Sequence, residues 1–354
     1  MIALEGVSKI YPKQSKPAVT ELNLQVPAGA IVTLIGPSGC GKTTILKMMN
    51  RLIEPTTGRI LLAGEDVTDV NGDQLRRRIG YVIQQVGLFP HLTIADNIAV
   101  VPKMLGWDKR RVTSRVDELL HLVGMEPGDF RDRYPRQLSG GQQQRVGVAR
   151  GLAADPPVML MDEPFGAIDP ITRERLQDEF LEVQRQVAKT ICFVTHDLSE
   201  SEAVKLGDRI AVFAARGRLA QYDTPSEVLA HPADDFVAEF VGSGAAVRRL
   251  SLLPISQLEL AEIVISGAGA AAKDRPVLLV DDAGRPSAWH HAPGSERPPA
   301  LVTVPLSGTV HDAVDVMLDG HAPVVVVVDD DGQPRGALRW DSLVADLRPN
   351  GQLR

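Results

Sequence analysis

Ile31-Val32-Thr33-Leu34-Ile35-Gly36-Pro37-Ser38-Gly39-Cys40-Gly41-Lys42-Thr43-Thr44 is the stretch that decides the fold. Its first five residues are apolar or β-branched and read as a strand buried on both faces. Lys42 to Leu52 then carries helix-forming residues. The turn between them, Gly36 to Thr43, fits G-x-x-x-x-G-K-[ST], a phosphate-binding loop that follows a strand and opens a helix. Its glycines let successive backbone N–H groups turn inward around an anion, and the helix start adds the positive end of its dipole. In such a loop Lys42 reaches the β- and γ-phosphates of a nucleotide, and the Thr43 hydroxyl ligates Mg²⁺. Gly36, Ser38, Gly39, Cys40, Gly41, Lys42, Thr43 and Thr44 are therefore candidate nucleotide contacts, Cys40 as a tolerated small residue.

Outward from the loop, Ile79-Gly80-Tyr81-Val82-Ile83, Val158-Met159-Leu160-Met161 and Thr190-Ile191-Cys192-Phe193-Val194 read as further strands. Alternation of strands and helices predicts an α/β layer with a mostly parallel sheet. Residues 91–151, mostly helical in pattern, are predicted as an inserted subdomain. The strand at Val158 ends in Asp162-Glu163, and carboxylates at that edge of a parallel strand face the ligand crevice. There Asp162 is suited to hold Mg²⁺, and Glu163 to polarise a water for attack on the γ-phosphorus. Leu138-Ser139-Gly140-Gly141-Gln142 discriminates further: it offers a second anion-binding helix start. One phosphate needs one cradle. Two imply a nucleotide clamped from two sides.

The chain of 354 residues is 44% hydrophobic, enough for two or three domains and a sizeable core, which excludes a disordered protein or a disulfide mini-protein. With 38 Lys+Arg against 45 Asp+Glu it is acidic, so no global field favours nucleic acid, and none is expected as a partner. Cys40 and Cys192 form no framework and point to a reducing compartment. Met1 to Glu5 does not read as a signal peptide, and no apolar run is long enough to span a bilayer. A soluble chain is expected, working at a membrane only through something that spans it.

From Met1 to Gly242 the sequence resembles the ATP-binding subunit of an ABC (ATP-binding cassette) transporter, with every expected motif in order. The resemblance implies a P-loop NTPase, with a RecA-like core, an antiparallel β part and the helical subdomain, using ATP and Mg²⁺. It gives Tyr11 as the aromatic stacked on adenine and Gln84 as the glutamine that senses Mg²⁺ and the water. Ser139, Gly140, Gly141 and Gln142 resemble the signature that faces the γ-phosphate bound by a partner subunit. Asp169 resembles the loop crossing the dimer interface, and His196 the switch histidine bonded to the γ-phosphate. Gly166 stands where serine is more usual. Val86 to His91 resembles the segment that contacts a membrane subunit's coupling helix. Two chains would then sandwich two ATP molecules, with integral membrane permease subunits as partners and a substrate-binding protein as an indirect one. The expected location is the cytoplasmic face of the membrane, bound peripherally.

Past Gly242 the sequence turns Gly-, Ala- and Pro-rich, predicting a second domain over residues 243–354. Pro276 to Pro286 and Pro323 to Pro334 form a weak repeat, each a strand, an acidic turn and a second strand. The pair resembles two CBS motifs, a small α+β regulatory domain. The first copy is degenerate: no helix signal follows Trp289, and His290-His291 reads as a solvated loop. In the second, Thr309 to Met317 reads as a capped helix, Val324 to Val328 and Pro334 to Leu338 as strands, and Trp340 to Leu347 as a helix. The CBS nucleotide pattern G-h-h-T-x-x-D (h apolar) stops at Gly336-Ala337-Leu338. Arg339 and Ser342 replace its threonine and aspartate, which argues against an adenine nucleotide there.

Thr224 to Leu229 and Asp235 to Gly242, with Ile83 to Pro90, are most similar to the glycine betaine/choline/proline group of importers. The expected function is ATP hydrolysis driving import of an osmoprotectant such as glycine betaine, choline, carnitine or proline. An importer of another amino acid or a polyamine is the alternative. A soluble ABC ATPase of translation or repair would carry two cassettes or a long coiled-coil insertion, and neither is in the sequence. A P-loop kinase has no use for Leu138 to Gln142.

Overall fold

Ile31–Ile35 lies inside a six-stranded sheet whose two faces carry different layers. The structure, a computed structural model, describes residues 1–12, 14–83, 87–166, 170–195, 202–242, 244–266, 277–290 and 300–346. Two units divide the chain, Met1–Gly242 and Ser243–Arg354.

The strands of the first unit are β1 (Ile2–Lys9), β2 (Val19–Val26), β3 (Ile31–Ile35), β4 (Thr57–Leu62), β5 (Glu65–Asp66), β6 (Ile79–Val82), β7 (Val158–Asp162), β8 (Thr190–Val194), β9 (Arg209–Ala214) and β10 (Arg218–Asp223). Its helices are α1 (Lys42–Met49), α2 (Gly72–Arg77), α3 (Ile94–Met104), α4 (Lys109–Leu122), α5 (Pro127–Phe130), α6 (Gly140–Leu152), α7 (Pro170–Val187), α8 (Glu202–Leu206), α9 (Pro225–Ala230) and α10 (Asp235–Val241). The large sheet runs β10-β9-β3-β8-β7-β6, parallel except for β10, and an antiparallel sheet runs β2-β1-β4-β5.

Side-chain alternation along the parallel strands explains their unbroken apolar runs. Val158, Leu160, Cys192 and Val194 point to one face, where Ile45, Leu46, Met48 and Met49 of α1 fill the space up to Leu4, Leu22 and Leu24 of the antiparallel sheet. Met159, Met161, Ile191 and Phe193 point to the other, against apolar residues of α3, α4, α6 and α7. Strand β2 faces solvent on one side, and its buried residues are separated by exposed ones. Because β3 lies between β9 and β8, the loop after it opens at a switch point of the sheet, the usual ligand crevice of such folds. None of the described helices is long and apolar enough to cross a membrane.

The second unit contains the same small sheet twice. Strands β11 (Val264–Ser266), β12 (Val277–Val280) and β13 (Pro286–His290) form one; β14 (Thr303–Pro305), β15 (Val324–Val328) and β16 (Pro334–Arg339) form the other. In each, a short strand runs parallel to the first arm of an antiparallel hairpin. The turns match bond for bond. Asp281 and Asp329 N–H groups donate to Arg285 and Gln333 carbonyls, each at 2.9 Å, and Gly284 and Gly332 take φ of 78° and 79°. A different set of bonds, first the Gln333 N–H donating to Asp329 Oδ1 at 2.9 Å, then Arg335 and the Asp331 N–H, holds the Asp329 carboxyl below its usual value. A Cβ on Gly284 would stand 3.7 Å from Gln333 Nε2, and one on Gly332 3.4 Å from Arg285 Nε, so the hairpin tips face each other reciprocally. Helices α11 (Ala245–Leu250), α12 (Val310–Asp319) and α13 (Trp340–Asp346) complete the unit, and Thr309 caps α12 through a capping box with Asp312.

One expectation is corrected. His290 is not loop: it ends β13, half-buried and paired with Val277, because the hairpin register continues one residue past Trp289. His291 lies outside the described residues.

Candidate active site

The phosphate loop is shaped by backbone conformations that L side chains disfavour. Gly36 has φ of 147° and Gly41, which caps α1, has φ of 113°. Space is excluded as well: a Cβ on Gly36 would lie 2.2 Å from the Phe213 carbonyl oxygen, and one on Gly41 2.7 Å from that of Ala18. Neither obstacle is a movable side chain. Gly36→Ala is expected to lower the unfolding free energy by about 2–4 kcal/mol. Urea denaturation checks this, and a loss under about 1 kcal/mol would show that β9 yields to the added methyl.

Inside this frame Lys42, 6% exposed, folds over the loop, its Nζ donating to the carbonyl oxygens of Gly36 at 2.6 Å and Pro37 at 3.1 Å. The Cys40 thiol is buried, with Sγ 3.8 Å from Lys42 Nζ. Across β8, the Thr43 hydroxyl donates to Asp162 Oδ1 at 3.2 Å. Burial pushes the Asp162 carboxyl above its ordinary value; the Thr43 hydrogen bond opposes the shift, and the neighbouring Glu163 charge reinforces it. Tyr11 OH and Thr44 Oγ1 are 3.2 Å apart. Glu163, one step past β7, takes φ of 48°, and its N–H donates to Val194 O at 3.0 Å.

Tyr11, Ser38, Gly39, Gly41, Lys42, Thr43, Thr44 and Glu163 line one open cleft of about 580 Å³. Gln14 and Ala18 line it too. Both were missed in the sequence, where only nearness to Tyr11 could have drawn attention to them. The paired oxygens of Thr43 and Asp162 are the hard donors that Mg²⁺ takes beside phosphate oxygens, so the residues fit that ion.

Ser139, Gly140, Gly141 and Gln142 are placed elsewhere, at the start of α6. Ser139 Oγ accepts from the Gln142 N–H, and Gln142 Oε1 accepts from the Ser139 N–H at 3.0 Å. This reciprocal cap stabilises the helix start by about 1 kcal/mol. Ser139 and Gly140 are exposed, and a Cβ on Gly140 would meet nothing within 4 Å. Gly141 faces the Thr172 methyl group of α7. Gln84, Asp169 and His196 lie outside the described residues.

A second concavity, about 320 Å³, is lined by Ile83, Phe89, Val100, Val101, Arg76, Arg77 and Arg150 among others. The loop carrying Phe89 is fixed by buried Asn97, whose Oδ1 accepts from Phe89 N–H and whose Nδ2 donates to the carbonyls of Phe89, Leu92 and Thr93. That leaves the Phe89 ring 43% exposed at the rim, an apolar group presented rather than buried.

Comparison with known proteins gives concordant matches. The family profile described as ABC transporter matches residues 19–166. The osmoprotectant import ATP-binding protein OsmV of Salmonella typhimurium is 44% identical over 377 aligned residues, covering 100% of this chain and 98% of its own. The glycine betaine uptake system ATP-binding protein YehX of Escherichia coli is 41% identical, covering 98% of this chain and 100% of its own. Among solved structures, the dimer of the ATP-binding cassette MJ0796 in a post-hydrolysis state, bound to ADP and Pi, superposes with a TM-score of 0.56 at 33% identity. It covers 63% of this chain and 98% of that one.

Proposed function

The chain belongs to the family of ABC transporter ATP-binding subunits, and from that premise we propose that it drives import of a quaternary-amine osmoprotectant, such as glycine betaine, choline or carnitine, or of proline. The relatives that match it from end to end carry osmoprotectant and glycine betaine names, which supports this substrate class.

The observation that carries the mechanism is the separation of the two anion cradles. The cleft is lined by phosphate-loop residues, among them Thr43 with its bond to Asp162, and by Glu163, whereas Ser139 and Gly140 sit exposed at the start of α6. Two copies of the chain bring the second cradle of one onto the nucleotide bound by the other. Lys42 turns from the loop carbonyls to the β- and γ-phosphates, and Tyr11 stacks on the adenine. Thr43, Asp162 and Gln84 hold Mg²⁺, which when bound neutralises phosphate charge. Glu163 accepts the proton of a water whose oxygen attacks the γ-phosphorus as the bond to ADP breaks, and His196 bonds the γ-phosphate. Asp169 lies in the loop crossing between the copies.

The concavity around Phe89 seats a helix of an integral membrane permease subunit, so that closure of the dimer moves the permease. The chain works peripherally at the cytoplasmic face, and a substrate-binding protein delivers solute to the permease. The second unit, with its repeated sheet, is a CBS-like regulatory domain.

Reconstitution with the permease in proteoliposomes tests the substrate class. Glycine betaine, choline, carnitine or proline should stimulate ATP hydrolysis several-fold. Stimulation by spermidine or another amino acid alone would overturn the osmoprotectant reading.

A further inference from the structure

Behind the edge of the sheet that carries Glu163 lies a buried polar clasp. Thr195, 2% exposed, directly follows β8, and Glu202, 6% exposed, opens α8. Thr195 Oγ1 donates to Glu202 Oε2 at 2.6 Å, a short hydrogen bond. A carboxylate is costly to bury, and apolar groups of similar volume would join two elements at lower cost.

The neighbouring bonds show what this one restrains. Thr195 N–H donates to the Leu34 carbonyl of β3 at 3.2 Å, two residues ahead of the phosphate loop. The carbonyl of Val194, joined to Thr195 by one peptide, accepts the Glu163 N–H. Glu163 holds φ of 48°, a conformation that non-glycine residues keep only when their surroundings impose it. The Val194–Thr195 peptide is thus tied forward to Glu163, sideways to β3, and at its back to Glu202.

We propose that Glu202 and Thr195 are positioning residues for hydrolysis: their hydrogen bond fixes the Val194 carbonyl and thereby holds Glu163 in its place in the cleft. The proposal rests on the reading of Glu163 as the proton acceptor. Its effect falls on turnover, because Tyr11, Lys42 and Thr43 are carried by other segments. A loss that runs through His196, the residue after Thr195, would persist in a Glu163→Gln background, whereas one that runs through Glu163 would not.

The experiment is steady-state ATP hydrolysis by the full chain, with kcat and KM resolved, beside thermal melting curves. Thr195→Val and Glu202→Leu should each lower kcat about tenfold or more while KM for ATP stays within about twofold. Thr195→Ser and Glu202→Gln retain a donor and an acceptor and should keep at least about half of kcat. The double variant Thr195→Val/Glu202→Leu should be no slower than the worse single one, as for two halves of one contact. Full kcat in the apolar variants, or failure of both to fold, would assign the clasp to stability alone and overturn the proposal. Glu163→Gln measured in parallel keeps the two claims apart. Turnover retained there removes the premise; turnover lost there but intact in Thr195→Val removes only the positioning role.

Discussion

Glu163→Gln is expected to reduce steady-state ATP hydrolysis by about 10²–10³-fold while leaving ATP affinity within about twofold. Glutamine matches the shape of glutamate, so the backbone at φ of 48° and its N–H bond to Val194 O persist. What disappears is the ability to take a proton. The Thr43–Asp162 hydrogen bond at 3.2 Å and the Lys42 bond to the loop remain, and loss of the Glu163 charge only relieves part of the upward push on the Asp162 carboxyl. Nucleotide should therefore bind normally and remain intact. The ATP-closed pair of chains then accumulates instead of resetting, and size-exclusion chromatography with ATP should show a species of twice the 38.2 kDa chain mass. Turnover within tenfold of the unaltered chain would assign the proton to another group and end the mechanism.

The parts of this site legible in the sequence are those made by neighbours along the chain. Gly36 to Thr43 announces itself because the loop geometry forbids side chains at set positions, and the structure shows the obstacles at Gly36 and Gly41. Ser139, Gly140 and Gly141 are legible in the same way as a helix start, being neighbours along the chain, whereas the return bond from Gln142 that completes the cap is seen in the structure. The apolar runs of β3, β7 and β8 fall where their composition puts them, since burial on both faces leaves no polar alternative. Contacts between distant segments leave no such trace. Nothing in the sequence joins Tyr11 to Thr44, Asn97 to the Phe89 loop, or Thr195 to Glu202, because each bond depends on which strands the sheet places side by side. His290 differs from its sequence pattern for a related reason: two histidines before a Pro-Gly stretch look like loop, but pairing with Val277 carries the strand to that residue.

Because the second cradle lies outside the cleft of its own chain, two different inactive chains should restore each other. Lys42→Ala removes the ammonium from the phosphate loop. Gly140→Asp puts a carboxylate at the exposed start of α6, where a Cβ meets nothing within 4 Å, so the fold is spared while a bound γ-phosphate is repelled. Each variant alone is a symmetric pair with two broken sites, and each should hydrolyse ATP at under about 1% of the normal rate. In a mixed pair the intact loop of the Gly140→Asp chain meets the intact helix start of the Lys42→Ala chain, and one complete site returns. Random pairing makes half the dimers mixed, with one site of two restored, so an equal mixture should recover up to about a quarter of normal activity. Titrating one variant into the other should give a maximum near equal amounts, since only mixed pairs contribute. A mixture no more active than its components, with subunit exchange verified by mass measurement, would mean that each chain completes its own site. The exposed glycine start of α6 would then need a different explanation.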